Sequence, residues 1–473
     1  MFGLETDVFI LLFISLFAAC AFEFVNGFHD TANAVATVIY TNSLKPTVAV
    51  VWSGICNFTG VLLGGIGVAM GIVNLLPVEL LIDQNVYHSV ALVMSLLLSA
   101  IIWNLGTWYF GIPSSSSHTL IGSILGVGLA FATLPENKTG AAVNWEKAIE
   151  TGEALLLSPL LGFSLAIVLM FILRRSVSDE VRTQLFKEPK KNTEPPAWIR
   201  SILIATCSLV SFFHGSNDGQ KGVGLIMLIL IGIVPYHFAI KADLDPHLMQ
   251  ANITGVEQTI AVLSPGQLSP ANQDRLKQTR MELVELTKLI NGPLENQKIP
   301  NAKRLNMRKD LLLINSNMKK ITEDEGANLS SSQLAVLDKS LGEESGLRRY
   351  TDYAPFWVIL MIALSLGLGT MIGWRRIVVT VGEKIGKQHL TYAQGASAEL
   401  VAATMIGFAS WLKLPVSTTH VLSSGIAGSM VASKGVKNLQ ADTIRNIALA
   451  WVLTLPVSVL LSFTLYTFFR WLL

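Results

Sequence analysis

Hydrophobic positions along this chain fall in long blocks with few charges between them, the pattern of helices that cross a bilayer rather than of helices with one apolar stripe. From Gln84 to Pro135 there are 52 residues without an Asp, Glu, Lys or Arg. One spanning helix needs about 20 apolar residues, so this block must cross more than once, or cross and fold back. Comparable charge-free runs lie at Pro46–Val78, Ala154–Leu173, Ser201–Asn217, Ala354–Trp374, Leu414–Ser433 and Asn446–Phe469. The pattern predicts an all-α polytopic membrane protein with roughly 10–12 membrane segments.

Polar positions concentrate in two places. Residues 241–352 carry 15 Lys/Arg and 15 Asp/Glu, nearly half of the chain's charges, and their polar stretches Asp274–Ile290 and Ala302–Lys320 have helical spacing. This segment is expected to be a soluble, mostly helical insert. Residues 174–200 hold Arg174, Arg175, Arg182, Lys187, Lys190, Lys191 and Arg200. By the positive-inside rule this basic linker faces the cytoplasm. The remaining segments, 1–173 on one side and 201–240 with 353–473 on the other, form a first and a second membrane repeat.

Composition agrees: 51% of residues are hydrophobic and 14% charged, against about 25% charged in soluble domains. A net charge of +2 leaves no strongly basic face for nucleic acid. The first apolar run, Val8–Phe22, follows Glu5 and Asp7 where a secretory signal carries positive charge, so it is expected to be a retained helix. Cys20, Cys56 and Cys207 lie far apart in apolar segments and suggest neither disulfides nor a zinc motif.

Two short signatures occur twice, in the same order. The first is Gly27-Phe28-His29-Asp30-Thr31-Ala32-Asn33-Ala34, returning as Gly215-Ser216-Asn217-Asp218-Gly219-Gln220-Lys221-Gly222. The second is Pro113-Ser114-Ser115-Ser116-Ser117-His118, returning as Pro415-Val416-Ser417-Thr418-Thr419-His420, and Gly126 and Gly428 each follow the His by eight residues. Such register marks a tandem duplication. The insert stands where the first half has the short Thr41–Lys45 loop.

An ionised carboxylate at the bilayer centre costs at least ~2.5 kcal/mol, so Asp30 and Asp218 call for a proton or cation, or for structural satisfaction by helix ends. Flanking glycines, including Gly215, Gly219, Gly222 and Gly224, would permit a broken helix at each copy. In the second signature Pro sets a first turn and Ser or Thr caps a new helix, whose N–H groups and positive dipole end form an anion cradle. Ser115, Ser116, Ser117 and Thr119, with Ser417, Thr418 and Thr419, add hydroxyl donors, although membrane helices also use Ser and Thr for packing. His29, His118 and His420 are candidates for proton coupling or for structural hydrogen bonds. Lys221 either neutralises Asp218 or faces an anion. Glu23 and Glu399 are further acids in apolar surroundings, and Glu399 is a candidate for the coupling network.

The paired Gly-x-x-Asp and Pro-x-Ser-x-x-His signatures, with Trp103–Tyr109 and Gly373-Trp374-Arg375-Arg376, resemble the inorganic phosphate transporter (Pit) family, in particular its bacterial low-affinity branch. The resemblance covers both membrane halves and leaves only the insert outside. It implies inverted-topology repeats with broken or re-entrant helices, and phosphate held between the halves by the two signature pairs, with Asn33, Asn217, Gln220 and Lys221 among the binding residues. It also implies symport with cations, alternating access by rocking of one half against the other, and a bacterial inner membrane. Bacterial members of this branch look like carriers of neutral metal phosphate, so Mg, Ca or Zn would enter with the anion, with Asp30 and Asp218 suited to a hard cation.

Sodium-coupled members tend to read Gly-Ala-Asn-Asp-x-Ala-Asn in both copies. Here His29 replaces the first Asn of copy one and Lys221 the second Asn of copy two, which favours protons over sodium. The implied partners are phosphate, divalent metal ions, protons and the lipid bilayer, with a homo-oligomer left open. Rival expectations are sodium-coupled phosphate transport, transport of another oxyanion such as sulfate or of a divalent metal alone, and a membrane-embedded hydrolase. The last lacks a Gly-x-Ser-x-Gly elbow and the asymmetry that a nucleophile needs, so no enzyme activity is expected.

Overall fold

The structure is a computed structural model that describes residues 4–73, 75–76, 80, 85–135, 137, 143–190, 193–241, 243, 245–291 and 301–473. Lys191 of the basic linker lies outside the described residues. All regular secondary structure described is helical, apart from one isolated bridge between Gly386 and Leu439. The chain forms two compact units, one of residues 10–77, 90–226 and 355–473, the other of residues 1–9, 78–89 and 227–354.

Among the described residues six helical stretches are long and apolar enough to cross a membrane: Thr6–Tyr40, Pro46–Leu63, Val86–Tyr109, Trp145–Ser176, Ala197–Ile233 and Ala441–Leu472. Phe356–Thr370 and Arg375–Lys384, bent by 55° at their junction, make a seventh if taken together. Two shorter apolar helices start at the Ser-rich signatures: Ser116–Ala132 and Thr418–Lys434 have 17 residues each, about 26 Å at the helical rise, at the lower limit of a spanning helix.

The larger unit is apolar outside, and small polar side chains lie buried between its helices beside an apolar core. Phe13, Phe17, Leu156, Leu160, Val452 and Leu460 are exposed, while Ser15, Ser158, Thr454, Ser458 and Ser462 on the same helices are buried. Small polar side chains between helices and large apolar ones facing outward are what lipid solvation selects. The two short helices use the same device. Ser116–Ala132 lies against Ala441–Leu472, where a Cβ at Gly126 would come within 2.2 Å of the Val459 carbonyl. Thr418–Lys434 lies against Trp145–Ser176, where a Cβ at Gly428 would come within 2.3 Å of the Phe163 carbonyl. Each supporting helix has 32 residues and one internal proline, Pro456 or Pro159. Each short helix that follows a Ser-rich signature is thus set against a long proline-containing helix from the other end of the chain.

At the first signature Thr31 stands between the helices Thr6–Asp30 and Ala32–Tyr40 but keeps helical angles (φ −51°, ψ −37°), so the two continue as one stretch, and its hydroxyl donates to the carbonyls of Gly27 (2.6 Å) and Thr370 (2.9 Å). At the second signature no break occurs, contrary to the expectation from its glycines: Ala197–Ile233 runs through it as one 37-residue helix. Those glycines serve close approach instead. A Cβ at Gly215 would fall 2.1 Å from the Asn57 carbonyl, and one at Gly60 would fall 2.0 Å from that of Phe212, so Pro46–Leu63 and Ala197–Ile233 meet backbone to backbone.

The smaller unit holds the charged insert. Its helices Pro246–Ala261, Pro270–Asn291, Asn301–Thr322 and Ser331–Leu341 share an apolar core. Met307, Leu311, Ile314 and Met318 recur at the spacing that puts one helix face inward. Ser330 and Gln333 form a reciprocal capping box at the last of these helices.

Candidate functional site

The signatures of both halves meet in the larger unit around two buried carboxylates. Asp30, at the end of the first helix, accepts hydrogen bonds from the Thr419 hydroxyl (2.9 Å), the Ser116 hydroxyl (3.3 Å) and the Thr418 hydroxyl (3.4 Å). Ser116 and Thr418 are the first residues of the two short helices, and both reach the same Asp30 oxygen, Oδ2. Two helix N-termini thus converge on one carboxylate, each capped by the preceding serine: Ser115 accepts from the His118 N–H and Ser417 from the His420 N–H.

Asp218 lies within the long unbroken helix. Lys221, one turn on, gives its ammonium to Asp218 Oδ1 at 2.6 Å and to Ser117 Oγ at 2.5 Å. Both Lys221 and Asp218 are buried, so the ion pair is desolvated and held by local geometry. Asn26 bridges Asp218 Oδ2 (3.5 Å) and Glu23 Oε2 (3.3 Å), while Glu23 Oε1 is buried without a hydrogen-bond partner.

A histidine outside the signatures joins the two aspartates. His214, one helical turn before Asp218, places Nε2 3.6 Å from Asp30 Oδ2 and 3.6 Å from Asp218 Oδ2. Its Nδ1 lies 2.9 Å from Asn57 Oδ1, and the Asn57 amide donates to the Thr370 hydroxyl at 2.9 Å. Asn57 thereby presents its carbonyl oxygen, which fixes the proton on Nδ1 and turns Nε2 toward the carboxylates. One ligand atom each from Asp30, His214 and Asp218 lie within 4.8 Å of one another, close enough to hold one metal ion. Sequence reasoning missed His214 because it expected a helix break at Gly215. On a continuous helix the four-residue spacing to Asp218 would have pointed to it.

The other candidate residues divide by what they touch. His29 bonds Asp30 through Nδ1 at 2.9 Å and approaches Thr107 and Ser114 through Nε2. Asn33 donates to Thr419 at 3.0 Å, and its Oδ1 is buried without a partner. Gln220 is spent on backbone, donating to the Gly64 and Ser216 carbonyls and accepting from the Val68 N–H. Asn217 donates to Ser410 and the Leu414 carbonyl and accepts from the Val416 N–H, holding the strand-like approach to the second Ser/Thr signature. Thr119 donates to its own helix at the Ser115 carbonyl. His118 bonds Ser115 Oγ at 2.8 Å and stacks on His420 at 4.5 Å between ring centres, and His420 stacks on Trp451 at 4.0 Å. Glu399 accepts from the Thr206 hydroxyl at 2.5 Å, separate from the aspartate pair, and its other oxygen is buried without a partner.

Three buried carboxylates, Glu23, Asp30 and Asp218, thus lie in this region, and the buried Lys221 pairs with Asp218. Ionised carboxylates in excess of cations are costly inside an apolar bundle. A buried polar site of this kind, built at helix ends among apolar spans, is the arrangement of a multi-pass membrane transport protein.

The chain belongs to the phosphate transporter family, whose model matches residues 26–462. It is 42% identical over 495 aligned positions to the low-affinity inorganic phosphate transporter PitA of Escherichia coli K12, covering 98% of this chain and 97% of that one. It is likewise 42% identical to a low-affinity inorganic phosphate transporter of Buchnera aphidicola from Acyrthosiphon pisum, over 97% of this chain and 96% of the relative. A probable low-affinity inorganic phosphate transporter of Bacillus subtilis is 30% identical over 97% and 96%. A solved structure, "The sodium-dependent phosphate transporter", superposes with a TM-score of 0.56 at 19% identity, over 98% of this chain and 100% of that one, a likeness of fold.

Proposed function

We propose that this protein imports inorganic phosphate across a bacterial inner membrane by proton symport with alternating access, the anion entering as a neutral complex with a divalent metal such as Mg, Ca or Zn. The observation that carries this reading is the placement of Asp30. Its carboxylate occupies the meeting point of two helix N-termini and three hydroxyls, donors suited to a phosphate oxygen. Protonation of Asp30, or its capture by a metal, releases those donors to the anion. Phosphate binding and cation binding are then the same event.

Lys221 holds Asp218 and Ser117 and supplies the fixed positive charge opposite the arriving anion. Asp30, His214 and Asp218 supply a site for the divalent ion, and His29 relays protons to Asp30 across its 2.9 Å contact. Rocking of the two repeats about the converging helix ends would open the site to each side in turn.

The test is uptake of radiolabelled phosphate by proteoliposomes in sodium-free buffer, with and without an inward proton gradient and added divalent metal. Uptake that requires both supports the proposal. Uptake only with sodium would assign the carboxylate cluster to sodium, and inhibition by sulfate but not arsenate would move the substrate to another oxyanion.

A further inference from the structure

A second feature of the larger unit lies outside the aspartate site. A cavity of about 670 Å³ opens between the end of one membrane-crossing stretch and the bend of another. The span Val86–Tyr109 stops there and turns through Gly111, which has φ +66°. Across from it the bent pair resumes at Arg375. One wall is aromatic: Trp108, Tyr109, Phe110 and Trp374. Tyr109 is 60% and Phe110 75% exposed. The other wall is basic, from Arg375, Arg376 and Lys384. None of these three has a carboxylate within ion-pair distance among the described residues.

The guanidinium of Arg376 is already positioned, stacked 5.0 Å from the Trp108 ring and 4.9 Å from the Tyr109 ring, and donating to the Tyr109 carbonyl at 2.5 Å. A planar cation fixed this way keeps further N–H donors for a bidentate oxyanion. Arg375 and Lys384 add charge without that constraint. A small inorganic anion would use the cations and leave the exposed Phe110 ring without a role. A ligand with an anionic head and apolar tails uses both, the pairing of aromatic and basic residues that lipid headgroups favour.

We infer that this cavity is a docking site for an anionic phospholipid, its phosphate between Arg375, Arg376 and Lys384 and its acyl chains along Tyr109 and Phe110. Trp108 also packs on Phe28 at 5.1 Å, next to His29 of the aspartate site, and donates to the Gly373 carbonyl at 2.8 Å. A lipid seated here braces the wall of that site.

Native mass spectrometry of the purified full chain in nonionic detergent, titrated with phosphatidylglycerol or phosphatidylcholine, tests this. One phosphatidylglycerol should be retained in preference to phosphatidylcholine. The double substitution Arg375→Gln/Lys384→Gln should weaken retention about five-fold per cation removed, whereas Arg375→Lys/Lys384→Arg should keep it. Equal retention of both lipids, or unchanged retention in the Gln variant, would overturn the assignment. Displacement of phosphatidylglycerol by inorganic phosphate alone would also overturn it, marking the cavity as a small-anion site.

Discussion

His214 Nε2 stands 3.6 Å from Asp30 Oδ2, joining the helix Ala197–Ile233 to the carboxylate at the end of Thr6–Asp30. The same nitrogen is 3.6 Å from Asp218 Oδ2 and makes no hydrogen bond shorter than these approaches. A lone pair at that point would face two carboxylates, whereas a proton or metal ion there satisfies all three groups. The ring is held by Asn57, so its position does not depend on what it binds.

His214→Gln should therefore lower phosphate uptake by roughly 10- to 100-fold, the usual cost of losing a metal-site partner, with the protein still folded in the membrane. Uptake with stepped divalent metal checks it: a raised metal requirement identifies a ligand, while an unchanged one would remove His214 from the cation site.

Lys221 and Asp218 form a buried pair at 2.6 Å. Removing one member strands the other, at a cost of about 3–5 kcal/mol. Lys221→Met should sharply lower the thermal midpoint of the purified protein, and adding Asp218→Asn should recover much of the loss, a non-additivity that a double-mutant cycle measures. Simple additivity would mean that the pair is not coupled.

Gly126 and Gly428 occupy equivalent places in the two repeats, each against a carbonyl of a long helix. Alanine at either position forces the helices apart, at about 1–3 kcal/mol by the usual cost of overpacking. Both variants should show lower thermal stability by similar amounts. A neutral Gly126→Ala would show that the contact yields easily.

In the insert, burial and then the neighbouring Glu282 push the Asp310 carboxyl up to about 8. Folded protein binds this proton where unfolded chain has already released it. The insert should therefore be most stable below about pH 4 as far as this group is concerned, and lose that contribution as pH rises from about 4 to 8. Hydrogen exchange of residues 301–322, corrected for intrinsic rates, should show protection falling over that range, and Asp310→Asn should flatten the dependence.

The duplicated signatures made much of the site legible before any geometry. They singled out Asp30, Asp218, Lys221, Ser116, Ser117, Thr418 and Thr419, which the structure brings together. His214 and Asn57 stayed hidden because neither stands in a signature, and because glycine signals both helix breaks and close helix contacts. At Gly215 the contact with Asn57 decides. Asn217 and Gln220 lie within a signature yet bond backbone, since polar groups in an apolar bundle are needed to satisfy chain turns as well as ligands. The helices of the insert were readable from its charge density together with the helical spacing of Asp274–Ile290 and Ala302–Lys320, which lie in the helices Pro270–Asn291 and Asn301–Thr322. The number of spans was harder, because charge-free runs do not distinguish a crossing helix from a short capped one.

The most direct test of the account places a pH-sensitive dye inside proteoliposomes and adds phosphate with divalent metal outside, in the absence of sodium. The account predicts phosphate-triggered acidification of the lumen for the parent chain and none for Asp30→Asn, with both proteins equally incorporated. Phosphate entry without acidification in the parent chain, or acidification that persists in Asp30→Asn, would contradict it.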